Sequence, residues 1–326
     1  MKDSVLFFGA GASYGSDSKH ARNQGLLPPL GKDLYNALKS STLTDAWKRI
    51  PEDITPIFSE NFEAGMAEIM NNDIKYIMTH ELLMETALYF AQFRPLKTNL
   101  YYKLAEKIAI NKWKGSIITL NYERLLEESL LIHKVVSVVH GADTTEEGEI
   151  KRAPHAIELC YPHGACHFSI GFAKEWEKEP YRPNSDIVGG AIYQLIHQIN
   201  IIECYTKKPL PYVRRLPLIC AYEPDKRPLT NNKLIIYQHA RLKNLINEAK
   251  QIIMIGINCN FADAHIWGLL AETQAKIIYI DPYESQIDKF AEWAKSNNKQ
   301  EKTNYKLINK NFNDSFKEIC NLVGLN

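Results

Sequence analysis

The chain has 326 residues, enough for two ordinary domains or one large domain with insertions. Lys plus Arg is 39 and Asp plus Glu is 38, a net charge of +1, so bulk charge does not drive the chain onto nucleic acid or an anionic membrane. A content of 45% hydrophobic and 24% charged residues excludes disorder, collagen and coiled coil as the main state, and no apolar run reaches the roughly 18 residues that cross a bilayer.

At the amino terminus, Met1-Lys2-Asp3 ahead of Val5-Leu6-Phe7-Phe8 imitates a secretory leader. Its apolar core is short, and Asp3 stands where a leader is positive. Residues 4–8 read instead as a buried strand feeding a glycine turn, then a loop of Gly, Ser, Arg and Pro to about residue 29. A helix is expected from near Lys32, with Leu34, Tyr35 and Leu38 as its apolar stripe. Residues 41–113 read as a helical insertion: Phe62, Met66, Ile69 and Met70, then Leu83, Ala87, Phe90 and Ala91, then Leu100, Leu104 and Ile108 recur at helical spacing. Strands are expected at 116–120, 135–139, 157–161 and 218–222, with a helix over 123–133. Residues 168–216 read as a second, irregular insertion with a helical stretch near 187–202, ended by Pro209, Pro211 and Pro217. The last third alternates cleanly: helix 232–250, strand 252–257, helix 262–272, strand 276–280, helix 283–295, with 305–308 and 314–323 closing the chain. Such alternation predicts an α/β fold, a Rossmann-like parallel sheet with helices on both faces, built from residues 1–40 and 114–326. Six cysteines with no C-x-x-C pair predict no disulfide framework and fit a reducing, cytoplasmic setting.

The motifs that carry chemistry stand at strand ends. Gly9-Ala10-Gly11-Ala12-Ser13 follows the first strand, where glycines admit close backbone approach and free N–H groups can cradle a phosphate. A dinucleotide fingerprint would place a third glycine at Tyr14 and a helix at once; a plain tight turn is the alternative. Thr119 and Asn121 lie around the carboxyl end of the next strand, the edge where open α/β sheets bind ligands, although Asn121 equally suits a helix cap. His163-Gly164 ends another strand, and a histidine there can serve as a base. A structural histidine is one alternative. Zinc held by Cys160, His163, Cys166 and His167 is another, disfavoured because all four fall within eight residues, whereas structural sites draw on two separated pairs. His140-Gly141 is a second such pair and leaves the base unassigned. Gly256, Asn258 and Asp263 line a polar loop between a strand and a helix. Asp281 ends the strand after that, where a carboxylate can accept from ribose hydroxyls; Asp263 and Asp281 equally suit caps.

The order of these motifs, Gly-Ala-Gly-Ala-Ser, Thr-x-Asn-Tyr-acid, His-Gly, Gly-x-Asn and Ile-Asp-Pro, resembles the sirtuin family. It is most similar to the bacterial sirtuin-like branch that hydrolyses NAD in antiphage defence. Pro28-Pro29-Leu30-Gly31-Lys32-Asp33-Leu34 and the phrase from Gly256 through Phe261-Ala262-Asp263 to Ile266 match that branch as well. The resemblance does not cover 41–113 or 168–216. Three departures stand out: Glu123 where the family carries Asp, no four-cysteine zinc module, and no Phe-Arg loop after the glycines. The second argues against protein deacylation, since that module helps build the acyl-peptide groove.

The resemblance implies that NAD is a substrate, cleaved between nicotinamide and ribose, with no metal. It implies that the backbone of Gly9, Ala10, Gly11, Ala12 and Ser13 holds the pyrophosphate and that Thr119, Asp263 and, in a role left open, Glu123 stand in the binding site. Asn121 would orient the ribose and an attacking water, and His163 would act as base. Gly256 and Asn258 would line the ribose and phosphate side, and Asp281 would contact the adenosine ribose. A constitutive NAD hydrolase harms its own cell, so a homo-oligomer or a regulatory protein partner is expected to gate it; no direct nucleic acid or membrane partner is expected. Rival readings are a protein deacylase or ADP-ribosyltransferase on the same fold, a non-enzymatic NAD or ADP-ribose sensor, and a Rossmann oxidoreductase, which Tyr14 disfavours.

Overall fold

The computed structural model describes residues 4–70, 76–135, 137–139, 156–171, 192–195, 215–220 and 233–325. Strand β1 (Ser4–Phe8) is buried at every position. It pairs in parallel with β2 (Ser116–Thr119) on one side, while β3 (Ser137–Val139) and β4 (Ile157–Cys160) extend that side. Three further strands, β8 (Gln251–Ile255), β9 (Lys276–Ile280) and β10 (Tyr305–Ile308), extend the other side. Among the described residues this makes one seven-stranded sheet in the order β10-β9-β8-β1-β2-β4-β3, with every neighbouring pair parallel.

Continuous apolar strands such as Ile-Ile-Met-Ile in β8 are what a parallel sheet covered on both faces requires. The period of two sends Leu6 and Phe8 to one core and Val5 and Phe7 to the other. The first core is closed by the helices Gly31–Ser40, Leu100–Asn111 and Phe312–Leu322 together with Trp47, Phe58, Phe62 and Met66. The second is closed by the helices Lys233–Glu248, Ala264–Glu272 and Glu284–Ser296. The fold is therefore Rossmann-like α/β with an added helical region, as the alternation predicts. Residues 41–113 hold a short 3-10 turn (Ala46–Arg49) and the helices Thr55–Glu60, Phe62–Met70, Tyr76–Ala91 and Leu100–Asn111. Their side chains share one core with the sheet.

Two expectations are corrected. The stretch after β1 is not loop throughout: the helix Ala10–Tyr14 starts at once, and Ser18 caps a second helix, Lys19–Asn23, by accepting from the Ala21 N–H. The segment 168–216 is not irregular throughout, and residues 192–195 of its expected helix form a strand. Strand β5 (Gly164–Gly171) is the centre of an antiparallel sheet with β6 (Ile192–Leu195) and β7 (Arg215–Ile219). Pro217 lies within β7 because β7 is an edge strand, where a missing N–H is tolerated. The rest of the expected helix 187–202 lies outside the described residues, as does His140.

Candidate active site

Chain order reverses between β1 and β8: β2 and β4 build outward on one side, β8 to β10 on the other. Ligands of open α/β sheets bind at the carboxyl edge of such a switch point. A cleft of about 720 Å³ lies there, inside the roughly 300–1,000 Å³ range of small-molecule sites. Its walls take residues from the ends of β1, β2, β4, β8 and β9, and from 28–32, 60–63 and Phe90.

Glycines are required at this point by the close approach of two loops. A Cβ on Gly256, whose φ is +60°, would stand 2.2 Å from Ala12 N; one on Gly9 would stand 2.5 Å from Gly256 O. The loops are laced by Gly9 N–H to Ile255 O (3.0 Å), Gly11 N–H to Gly256 O (2.9 Å) and Gly256 N–H to Ile280 O (3.0 Å). Ala12 N–H returns to Gly9 O (3.0 Å). The expectation of a turn full of free donors is thus corrected: Gly9, Gly11 and Ala12 engage their N–H groups within the protein. Ala10 is the exposed residue of the turn, on the cleft wall at the start of its helix.

Asn121 does not cap the following helix, Leu125–Ile132. That helix is served by Glu123, whose Oε2 accepts the Leu125 N–H at 2.5 Å. Asn121 turns toward β1 instead. Gly9 O can only accept, so the atom 3.2 Å from it is the amide nitrogen, and the same Nδ2 donates to Ser13 Oγ at 2.8 Å. The carboxamide orientation is fixed, and Oδ1 is left buried with no hydrogen-bond partner among the described residues. Ser13 Oγ accepts from Asn121, donates to Glu123 Oε1 (2.5 Å) and meets Tyr101 OH at 3.0 Å. Burial raises the Glu123 carboxyl above its usual range, opposed by these hydrogen bonds; burial and the nearby Glu123 charge hold Tyr101 as a phenol. Thr119 sits behind this cluster, where its Oγ1 accepts the Asn121 N–H (3.2 Å).

His163 enters from the turn after β4. A Cβ on Gly164, at φ +72°, would stand 1.9 Å from Leu218 O, which explains the glycine after the histidine. Cys220 N–H donates to His163 O (2.9 Å), and His163 Nε2 lies 3.0 Å from His265 Nε2. Asp281 accepts the Tyr283 N–H through Oδ1 (2.9 Å), and burial pushes its carboxyl up to about 6. Asn121, Glu123, His163 and Asp281 line the cleft yet are only 7%, 5%, 5% and 5% exposed, so a ligand would meet them largely stripped of water.

Gly9, Ala10, Gly11, Ser13, Asn121, Glu123, His163, Gly256, Asn258, Asp263 and Asp281 all line this one cleft; Ala12 and Thr119 are buried beneath it. Asp263 occupies the N-cap position of its helix without a capping side-chain bond. Cys160, His163, Cys166 and His167 do not converge: Cys160 Sγ meets Gln238 O, and His167 Nε2 lies 3.0 Å from Glu127. Among the described residues no group of three His, Cys, Asp or Glu is placed to hold a metal. Sequence reading missed Tyr101, His265, His239 and the wall formed by Glu60, Asn61, Phe62 and Glu63. His265, two residues after Asp263 in a loop already singled out, was within reach; the wall carries no local signal.

No helix among the described residues is long and apolar enough to cross a membrane. No family model matches the chain. No curated protein matches it either. Among solved structures, a mutant Sir2 homologue in complex with ADP ribose aligns over 99% of this chain and 92% of its own, with a TM-score of 0.44 and 11% identity.

Proposed function

We propose that the chain hydrolyses NAD at the bond between nicotinamide and ribose, releasing nicotinamide and ADP-ribose. One observation carries the reading: a locked Asn121 carboxamide, whose oxygen is buried and without a partner among the described residues, and a nearly buried histidine line one cleft at the carboxyl edge of a parallel sheet. Its motif order supports the choice of dinucleotide.

Departure of nicotinamide leaves an oxocarbenium-like ribose, as in glycoside cleavage. Asn121 Oδ1 accepts a hydrogen bond from a ribose hydroxyl or from the attacking water and so orients it. His163 takes the proton that the water loses. Glu123 accepts from Ser13 and so helps hold the hydroxyl that receives the Asn121 amide. Asp281 accepts from the adenosine ribose, and Ala10, at the start of its helix, meets the pyrophosphate. On the resemblance of motifs we place the activity among NAD-depleting effectors of antiphage defence, in which self-assembly or a partner protein raises the rate of the isolated chain.

The test is incubation of the purified chain with NAD, followed by chromatography. The reading requires nicotinamide and ADP-ribose in equal amounts. Deacylation of an acyl-lysine peptide would favour the deacylase, and tight binding without nicotinamide release would favour a sensor.

A further inference from the structure

Three histidines from three elements meet beside the cleft. His163 follows β4, His265 is the second residue of the helix Ala264–Glu272, and His239 lies on the helix Lys233–Glu248. The His163 and His265 rings are 5.1 Å apart, and those of His265 and His239 are stacked at 5.2 Å with an interplanar angle of 26°. His239 Nε2 lies 2.9 Å from Pro162 O; that oxygen only accepts, so His239 donates and ties down the residue before His163. Burial lowers the proton affinity of His239, which keeps the ring neutral in this role.

Two imidazole nitrogens 3.0 Å apart can share only one proton. His163 lines the cleft and His265 stands behind it. We infer that His265 is the positioning residue of the His163 base: its Nε2 accepts the His163 Nε2–H, which fixes the tautomer whose Nδ1 takes a proton from the attacking water. As that O–H bond breaks, the proton moves to Nδ1, His163 becomes an imidazolium, and the bond from its Nε2–H to neutral His265 becomes charge-assisted. His265 thus fills the place that a carboxylate fills behind the histidine of a serine-protease triad. This inference rests on the NAD-cleaving reading and names a further residue of that same site.

The experiment compares wild type, His163→Ala, His265→Phe and His265→Gln in full-length protein, measuring nicotinamide release against NAD concentration. Phe keeps the ring stack and removes the acceptor; the Gln amide oxygen can still accept. We expect His265→Phe to lose roughly 10–100-fold in kcat, the scale of an outer partner, with KM changed less than about threefold, and His265→Gln to recover part of the loss. Nitrogen-15 histidine spectra should show His163 of the wild type as the Nε2–H tautomer with scalar coupling across an N–H···N bond, lost in His265→Phe. Unchanged kcat in His265→Phe while His163→Ala is dead would overturn this inference and leave the NAD-cleaving reading standing, as would a wild-type His163 found as the Nδ1–H tautomer. A wild type that releases no nicotinamide removes both.

Discussion

Asn121 and Asp281 each carry a local cost that their bonds among the described residues do not fully relieve. Asn121 keeps a buried acceptor without a donor, and Asp281 keeps a carboxylate where burial lifts it to about 6. A group left so is a mark of a ligand site rather than of packing. Asp281 gives a prediction with a definite sign. Its folded pKa lies above the ordinary 3.8, so between about pH 4 and 6 the folded chain holds a proton that the unfolded chain has released. Stability therefore falls as pH rises through that window and stays lowered above it. Asp281→Asn removes the charge and keeps the acceptor for the Tyr283 N–H. Thermal melts should show it more stable than wild type at pH 8 by about 1–2 kcal/mol and no different near pH 4, with weaker NAD binding at pH 8. An offset that is the same at both pH values would contradict the assignment.

Elements pack as their sequences demand, and two contacts test that. Gly256 sits at φ +60° with the Ala12 nitrogen where a Cβ would go. Gly256→Ala should lower stability by roughly 3 kcal/mol or more, read as a fall in denaturant midpoint. Glu158, on β4 and 2% exposed, is held by two bonds from Arg241 on the helix Lys233–Glu248. Arg241→Met should cost about 3–5 kcal/mol by removing both of these bonds from a buried carboxylate, and adding Glu158→Met should restore most of it. Equal losses in the single and double variants would contradict this account. Strands β1, β8 and β9 were legible because burial on both faces leaves an unbroken apolar run. The helix Ala10–Tyr14 was not, since Gly11 and Gly15 mimic a turn and tertiary bonds from Gly9 and Gly11 to the β8 loop set it in place. The start of strand β7 was hidden by Pro217, which its edge position permits, so the expected strand 218–222 overlaps only its end.

On the scale of the molecule, the cleft exists because seven parallel strands, among the described residues, reverse order between β1 and β8, and five of them deliver a polar residue to one edge. The polar residues at strand ends were readable in the sequence; the strand order that brings them together was not. The far wall was not, because no spacing within 60–63 or around Phe90 says that the helical region folds back over the sheet edge. The partnership of Asn121 with Gly9 and Ser13 was equally hidden, being a bond across more than a hundred residues of chain in which a capping role looked sufficient locally. The central claim is that this edge cleaves a dinucleotide through Asn121, and the most direct measurement is the rate of nicotinamide release at saturating NAD for wild type and Asn121→Ala. The account predicts release by the wild type and a loss of at least about 100-fold in a folded Asn121→Ala protein. NAD left intact by the wild type, or equal rates in the two proteins, would contradict it.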